Sequence, residues 1–120
     1  VFVHNYDYPI PDGKALKIGN ITIGPWLKEP MDICKVPDDA NPAGGFRYQL
    51  CVDLINRFTQ KLESLAEKYQ DNSIIRIKLI RSAGTLLPTE WANELHPNPG
   101  GFQKIVKNCW KHHVEKVFNL

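Results

Sequence analysis

FRYQLCVDLINRFTQKLESLAEKYQDNSIIRIKLI, residues Phe46–Ile80, changes its periodicity part-way through, and that change sets the fold class. In its first part Phe46, Leu50, Leu54, Ile55, Phe58, Leu62, Leu65 and Tyr69 recur at spacings of one, three and four. Such spacing places apolar side chains on one face of a helix. Gln49, Asp53, Arg57, Lys61 and Glu67 lie off that face, and Asp53 and Arg57 stand four apart, a spacing that supports helix. QDNS then breaks the pattern, and IIRIKLI, residues 74–80, alternates as a strand. Its alternation sets Ile75, Ile77 and Leu79 on one face and Arg76 and Lys78 on the other, which suits a strand near a sheet edge.

Working outward, VFVHNY, residues 1–6, is β-branched and aromatic and reads as another strand. Residues 7–45 form a long irregular excursion with prolines at 9, 11, 25, 30, 37 and 42, a candidate lid or binding loop. Within it LKIGNITIG carries the turn pair Gly19-Asn20 between apolar runs and is expected to form a short hairpin. Beyond residue 80 comes a second loop, RSAGTLLPTEWANELHPNPG. From Gly101 to Phe118 a second helical stripe follows: Phe102, Ile105, Val106, Cys109, Trp110, His113, Val114 and Val117. Strand, loop, helix, strand, loop, helix implies α/β, with parallel strands joined by right-handed crossovers. Two strands make a marginal sheet. Residues 1–120 therefore read as one domain that is expected to be partial, with sheet edges that call for partners.

Bulk properties exclude several classes. Apolar residues make up 42% and charged residues 23%, and the net charge is +2 with no basic block, so no nucleic-acid footprint is present. No apolar run approaches the roughly 20 residues of a membrane span. Cys34, Cys51 and Cys109 are widely spaced and form no CxxC, which supports neither a disulfide framework nor a zinc site. Unpaired thiols lean toward a cytoplasmic setting. No cofactor is implied. His112 and His113 sit in a helix beside Lys111 and Glu115 and read as structural.

Ligands of parallel α/β sheets bind at the carboxyl ends of the strands, and both long loops leave from such ends. The second loop holds His96, restrained by Pro97 and followed by Gly100 and Gly101. A ring held this way can be aimed, as a general base requires.

TEWANELHPNPGGF, residues 89–102, resembles the C-terminal active-site block of SGNH (GDSL-type) hydrolases, in which a His-Pro follows the last strand, a glycine comes soon after and a final helix packs on the sheet. VFVHNYDYPIP and GPWL are similar to other segments of a bacterial branch of that family. The resemblance implies a three-layer α/β/α flavodoxin-like fold and serine ester hydrolysis with His96 as base. It departs from the family in two ways. The orienting residue expected three positions before the histidine is here Asn93, whose amide can orient the ring without supplying charge, and Glu94 or Glu90 is the alternative carboxylate for that role. The Gly-Asp-Ser nucleophile and Gly-x-Asn-Asp oxyanion blocks do not occur, and Ser64, Ser73 and Ser82 lack a nucleophile context. The implied function is thus the C-terminal portion of an esterase, inactive alone and completed by an N-terminal piece or a second copy. Its substrate would be an ester, whether a small molecule, a lipid or a sugar. Tyr6, Tyr8 and Trp26 are the candidate substrate-binding aromatics. The competing reading is a non-catalytic interaction module that uses the 7–45 loop.

Overall fold

The structure is a computed structural model and describes residues 1–38 and 40–119. Strand β1 (Phe2–His4) is followed by an antiparallel hairpin of β2 (Leu16–Ile18) and β3 (Ile21–Ile23), a short helix α1 (Lys28–Ile33), the long helix α2 (Phe46–Lys68) and β4 (Lys78–Ile80). The chain ends in α3 (Pro99–Ile105), a π-helical turn (Val106–Trp110) and α4 (Lys111–Phe118). β1 and β4 pair in parallel, Phe2 opposite Lys78 and His4 opposite Ile80. The expected α/β class, the parallel pairing and the hairpin are therefore present. The hairpin closes through Gly19-Asn20, with φ +59° at Gly19, a backbone conformation that glycine adopts without a Cβ clash.

Helices cover both faces of this two-stranded sheet. Side chains alternate along β1, so Phe2 and His4 share a face, and both meet the C-terminal helical segment. The Trp110 ring lies 5.4 Å from His4 and 6.3 Å from Phe2. Asn5, of the opposite parity, donates to Thr59 Oγ1 of α2 at 3.0 Å. The same Asn5 accepts from the Ser82 amide at 2.6 Å and so joins the two strand ends.

Two expectations need correction. The strand read over residues 74–80 is ordered as strand only from Lys78. The ladder with β1 spans Lys78–Ile80, and ahead of it the Val1 amine donates to the Arg76 carbonyl while the Val1 carbonyl accepts the Lys78 amide. The Ile74 and Ile75 amides instead donate to Asn72 Oδ1. The second correction concerns α2. Most of its apolar stripe is not the face that packs: of that stripe Ile55 is buried, beside Arg47 and Cys51, whereas Phe46, Leu50, Leu54, Phe58 and Leu65 are exposed, Leu54 by 65%. A narrow sheet offers little surface to cover, and α2 reaches the end of β1 through Thr59, which meets Asn5. The buried Arg47 fastens α1 to the start of α2, donating to Asp32 Oδ1 and to the Val36 carbonyl.

The 7–45 segment, read as irregular apart from the hairpin, also contains α1. No helix of the described residues is long and apolar enough to cross a membrane.

Candidate functional site

The loop between β4 and α3 is built by its own backbone before any side chain acts. Residues 91–97 close into a tight turn through a bridge between Trp91 and Pro97, and the Ala92 amide donates to the His96 carbonyl at 2.8 Å. Trp91 is buried and anchors the turn. Asn98 caps α3, its Oδ1 accepting from the Gly101 amide at 2.9 Å. Gly101 is required by crowding: a Cβ there would stand 2.5 Å from the Glu90 carbonyl oxygen. Gly100 carries no such constraint, since its Cβ would meet nothing nearer than Asn98 Oδ1 at 3.4 Å. Of the two glycines singled out in the sequence, only the second is forced by close approach.

His96 projects from this turn with its side chain exposed. Its Nδ1 lies 3.0 Å from Asn93 Oδ1. Asn93 is itself buried, and the same oxygen accepts the Leu95 and His96 amides at 3.0 and 2.9 Å. Backbone amides only donate, so the atom facing them is the carbonyl oxygen of the amide and not its nitrogen. That fixes the third interaction: Nδ1 must carry the proton and donate, which leaves the Nε2 lone pair free. The Trp26 ring meets His96 edge-on, with centroids 5.7 Å apart.

The two carboxylates offered as alternatives to Asn93 are committed elsewhere. Glu94 is wholly buried and accepts four backbone amides: Gly13 and Lys28 on Oε1 at 3.0 and 2.9 Å, Trp26 and Leu27 on Oε2 at 2.6 and 2.7 Å. Glu90 accepts the Leu87 amide and the Lys104 ammonium, which hold its carboxyl below the usual range. Glu94 therefore acts on the site indirectly, holding the Trp26 segment against the His96 turn.

Asp7 plays the corresponding part at the end of β1. It is buried and accepts the Tyr8, Gly84, Thr85 and Leu86 amides at 2.7–3.0 Å. Sequence reading missed Asp7 and considered Glu94 only as a candidate partner of the histidine. A single chain carries little to separate the two cases, beyond an acid set among apolar and aromatic neighbours.

Of the three candidate aromatics, the structure brings Trp26 to His96. Tyr6 packs against Trp91, centroids 6.3 Å apart, beside a cavity of about 170 Å³ that His4, Ser82 and Trp110 also line. Tyr8 donates its hydroxyl to Asn56 of α2 at 2.9 Å. The serines are not presented as nucleophiles: Ser82 is buried and donates to the Asn5 carbonyl, and Ser64 donates to the Gln60 carbonyl within α2. The Cys51 thiol is pushed up to about 11 by burial, with the Glu94 charge adding to it, so it stays protonated and unreactive. No cluster of metal-ligating side chains occurs among the described residues.

No protein-family profile, no curated protein and no solved structure matches the chain.

Proposed function

We propose that this chain carries the general-base portion of an ester hydrolase of the SGNH type, within a flavodoxin-like arrangement completed by polypeptide outside the 120 residues. One observation carries the reading: Asn93, pinned by two backbone amides, holds His96 as the Nδ1–H tautomer with Nε2 free. An unpinned asparagine in this position can turn its NH₂ toward the ring and favour the wrong tautomer, a change that is severely damaging in serine hydrolases. Here the two amides prevent that rotation.

In the completed site Nε2 takes the proton of a serine hydroxyl as its oxygen attacks the ester carbonyl carbon. The same proton passes to the departing alcohol. Water then repeats the sequence on the acyl-enzyme and releases the acid. Asn93 orients the ring but adds no negative charge to stabilise the imidazolium, so turnover falls below that of a carboxylate-assisted base. Incompleteness of the site has independent support in the exposed stripe of α2 and the open edges of the sheet.

The test is an ester assay on the completed enzyme, this chain together with the polypeptide that supplies the serine, with and without His96→Ala. Loss of about 10³-fold or more in kcat with unchanged folding supports the reading; normal turnover overturns it. The 120-residue chain alone is expected to show no esterase activity.

The interaction-module reading keeps one specific observation in its favour. Ile18, Ile21 and Ile23 of the hairpin are 57%, 64% and 42% exposed, and the ring of His96 has an amide rather than a carboxylate beside it. Under that reading Ile21→Asp removes partner binding and His96→Ala does not.

A further inference from the structure

The end of the sheet opposite the His96 loop opens a second cavity, of about 550 Å³. Phe2 and Ile77 from the strand starts and Val117 from α4 give it apolar walls. Arg76, Lys78 and Lys116 line it as well, joined by His112 and His113, and no aspartate or glutamate does. The sequence arranges this directly. Arg76 and Lys78 flank Ile77 where the chain enters β4, and a single helical turn puts His112 and Lys116 one above the other. None of the three cations takes part in an ion pair among the described residues, whereas six other lysines and arginines do.

Such an array is costly unless something neutralises it, because like charges within a Debye length of about 8–10 Å repel. The environment is already felt by His113, whose ring is held below the ordinary imidazole range by burial and by the charges of His112, Lys78 and Lys116. A bare inorganic anion would answer the charge but leave the apolar walls wet. A neutral apolar molecule would do the reverse. The volume falls within the roughly 300–1,000 Å³ of small-molecule sites. A guanidinium with two ammonium groups matches a dianionic head that accepts bidentate hydrogen bonds.

We propose that this cavity binds an organic phosphate monoester, its phosphate among Arg76, Lys78 and Lys116 and its aryl or alkyl body against Phe2, Ile77 and Val117. The site is separate from His96 and does not depend on the hydrolase reading.

The test uses the 120-residue chain and α-naphthyl phosphate, followed by NMR with ¹⁵N-labelled protein. Saturable shifts are expected at Phe2, Lys78, His113 and Val117 and not at Asn93 or His96, with the His113 ring titrating at higher pH once the probe is bound. Inorganic phosphate and α-naphthol should each bind at least tenfold more weakly. Arg76→Gln combined with Lys116→Gln should weaken α-naphthyl phosphate more than about tenfold, since each charge-assisted contact contributes about 1.5 kcal/mol or more and 1.4 kcal/mol is tenfold. Should that pair of changes disturb the circular dichroism spectrum, Lys78→Gln alone serves, with a severalfold loss expected. Absence of saturable shifts at millimolar probe overturns the proposal. So do equal affinity for inorganic phosphate, which would mean charge attraction without a pocket, and unchanged affinity in the variants.

Discussion

Glu94 accepts the backbone amide of Trp26 at 2.6 Å, although the two residues lie 68 positions apart, and the contact sets the indole beside His96. The carboxylate satisfies three further amides at once. Glu94→Ala leaves four donors to find water or strain, so unfolding stability should fall by about 3 kcal/mol or more. Glu94→Gln should cost less, about 2 kcal/mol, because one carbonyl oxygen remains. Urea denaturation of both variants checks the order; a cost below about 0.5 kcal/mol for the alanine would contradict the latch.

The tautomer of His96 is directly measurable. Long-range ¹H–¹⁵N correlation in mildly alkaline buffer should show Nδ1 protonated and Nε2 bearing the lone pair. Asn93→Ala removes the side-chain acceptor that faces the ring among the described residues, and the two tautomers should then mix. Because His96 is exposed, His96→Ala should change stability by no more than about 0.5 kcal/mol.

Thiol chemistry should separate two cysteines. Cys34 is exposed and Cys51 buried. A disulfide reagent should label Cys34 in the native protein and reach Cys51 only on unfolding. Cys51 also makes stability depend on alkaline pH. Its thiol titrates near 9.0 when unconstrained and at about 11 in the fold, so between those values the unfolded chain releases a proton that the native chain retains. Stability from this source is complete below about pH 9 and is lost as pH rises through about 11. Tyr6 and Tyr48, both raised by burial, push in the same direction. Denaturation midpoints measured from neutral to alkaline pH should fall, and fall less steeply in Cys51→Ala when compared with that variant's own neutral value.

The two adjacent glycines should respond oppositely to alanine. Gly101→Ala drives a methyl group into the Glu90 carbonyl and should lower stability by about 1–3 kcal/mol. Gly100→Ala, in the first turn of α3 with open space around it, should be neutral or stabilising by a few tenths of a kcal/mol. Thermal melts of the pair distinguish crowding from a general need for flexibility.

Periodicity made α2, the hairpin and the parallel strand pair legible, because each rests on local patterning over its own length. It misled about which face of α2 packs. A stripe of Phe46, Leu50, Leu54 and Phe58 says that something apolar belongs against it, not that the partner lies within the same chain. The limits of β4 escaped because the Ile74 and Ile75 amides turn back to Asn72 Oδ1 instead of joining a ladder, and nothing in IIRIKLI itself marks that. At the candidate site, the restrained histidine and its neighbour Asn93 could be read from ELHPNPGG and its surroundings. The roles of Asp7 and Glu94 could not, since a carboxylate that gathers amides from 13, 26, 27 and 28, or from 84, 85 and 86, leaves no mark in its own neighbourhood.

The reach of those two carboxylates has a consequence for how the chain acquires its shape. Asp7 waits for amides made 77 to 79 residues after it, and Glu94 seizes amides made 66 to 81 residues before it. Asp7 can close only once residues 84–86 have been made, and Glu94 only later, and contacts of such separation are slow to form. A ribosome-bound chain halted between residues 86 and 94 would have Asp7 able to close on the loop after β4, while the amides of Gly13, Trp26, Leu27 and Lys28 still lacked their carboxylate.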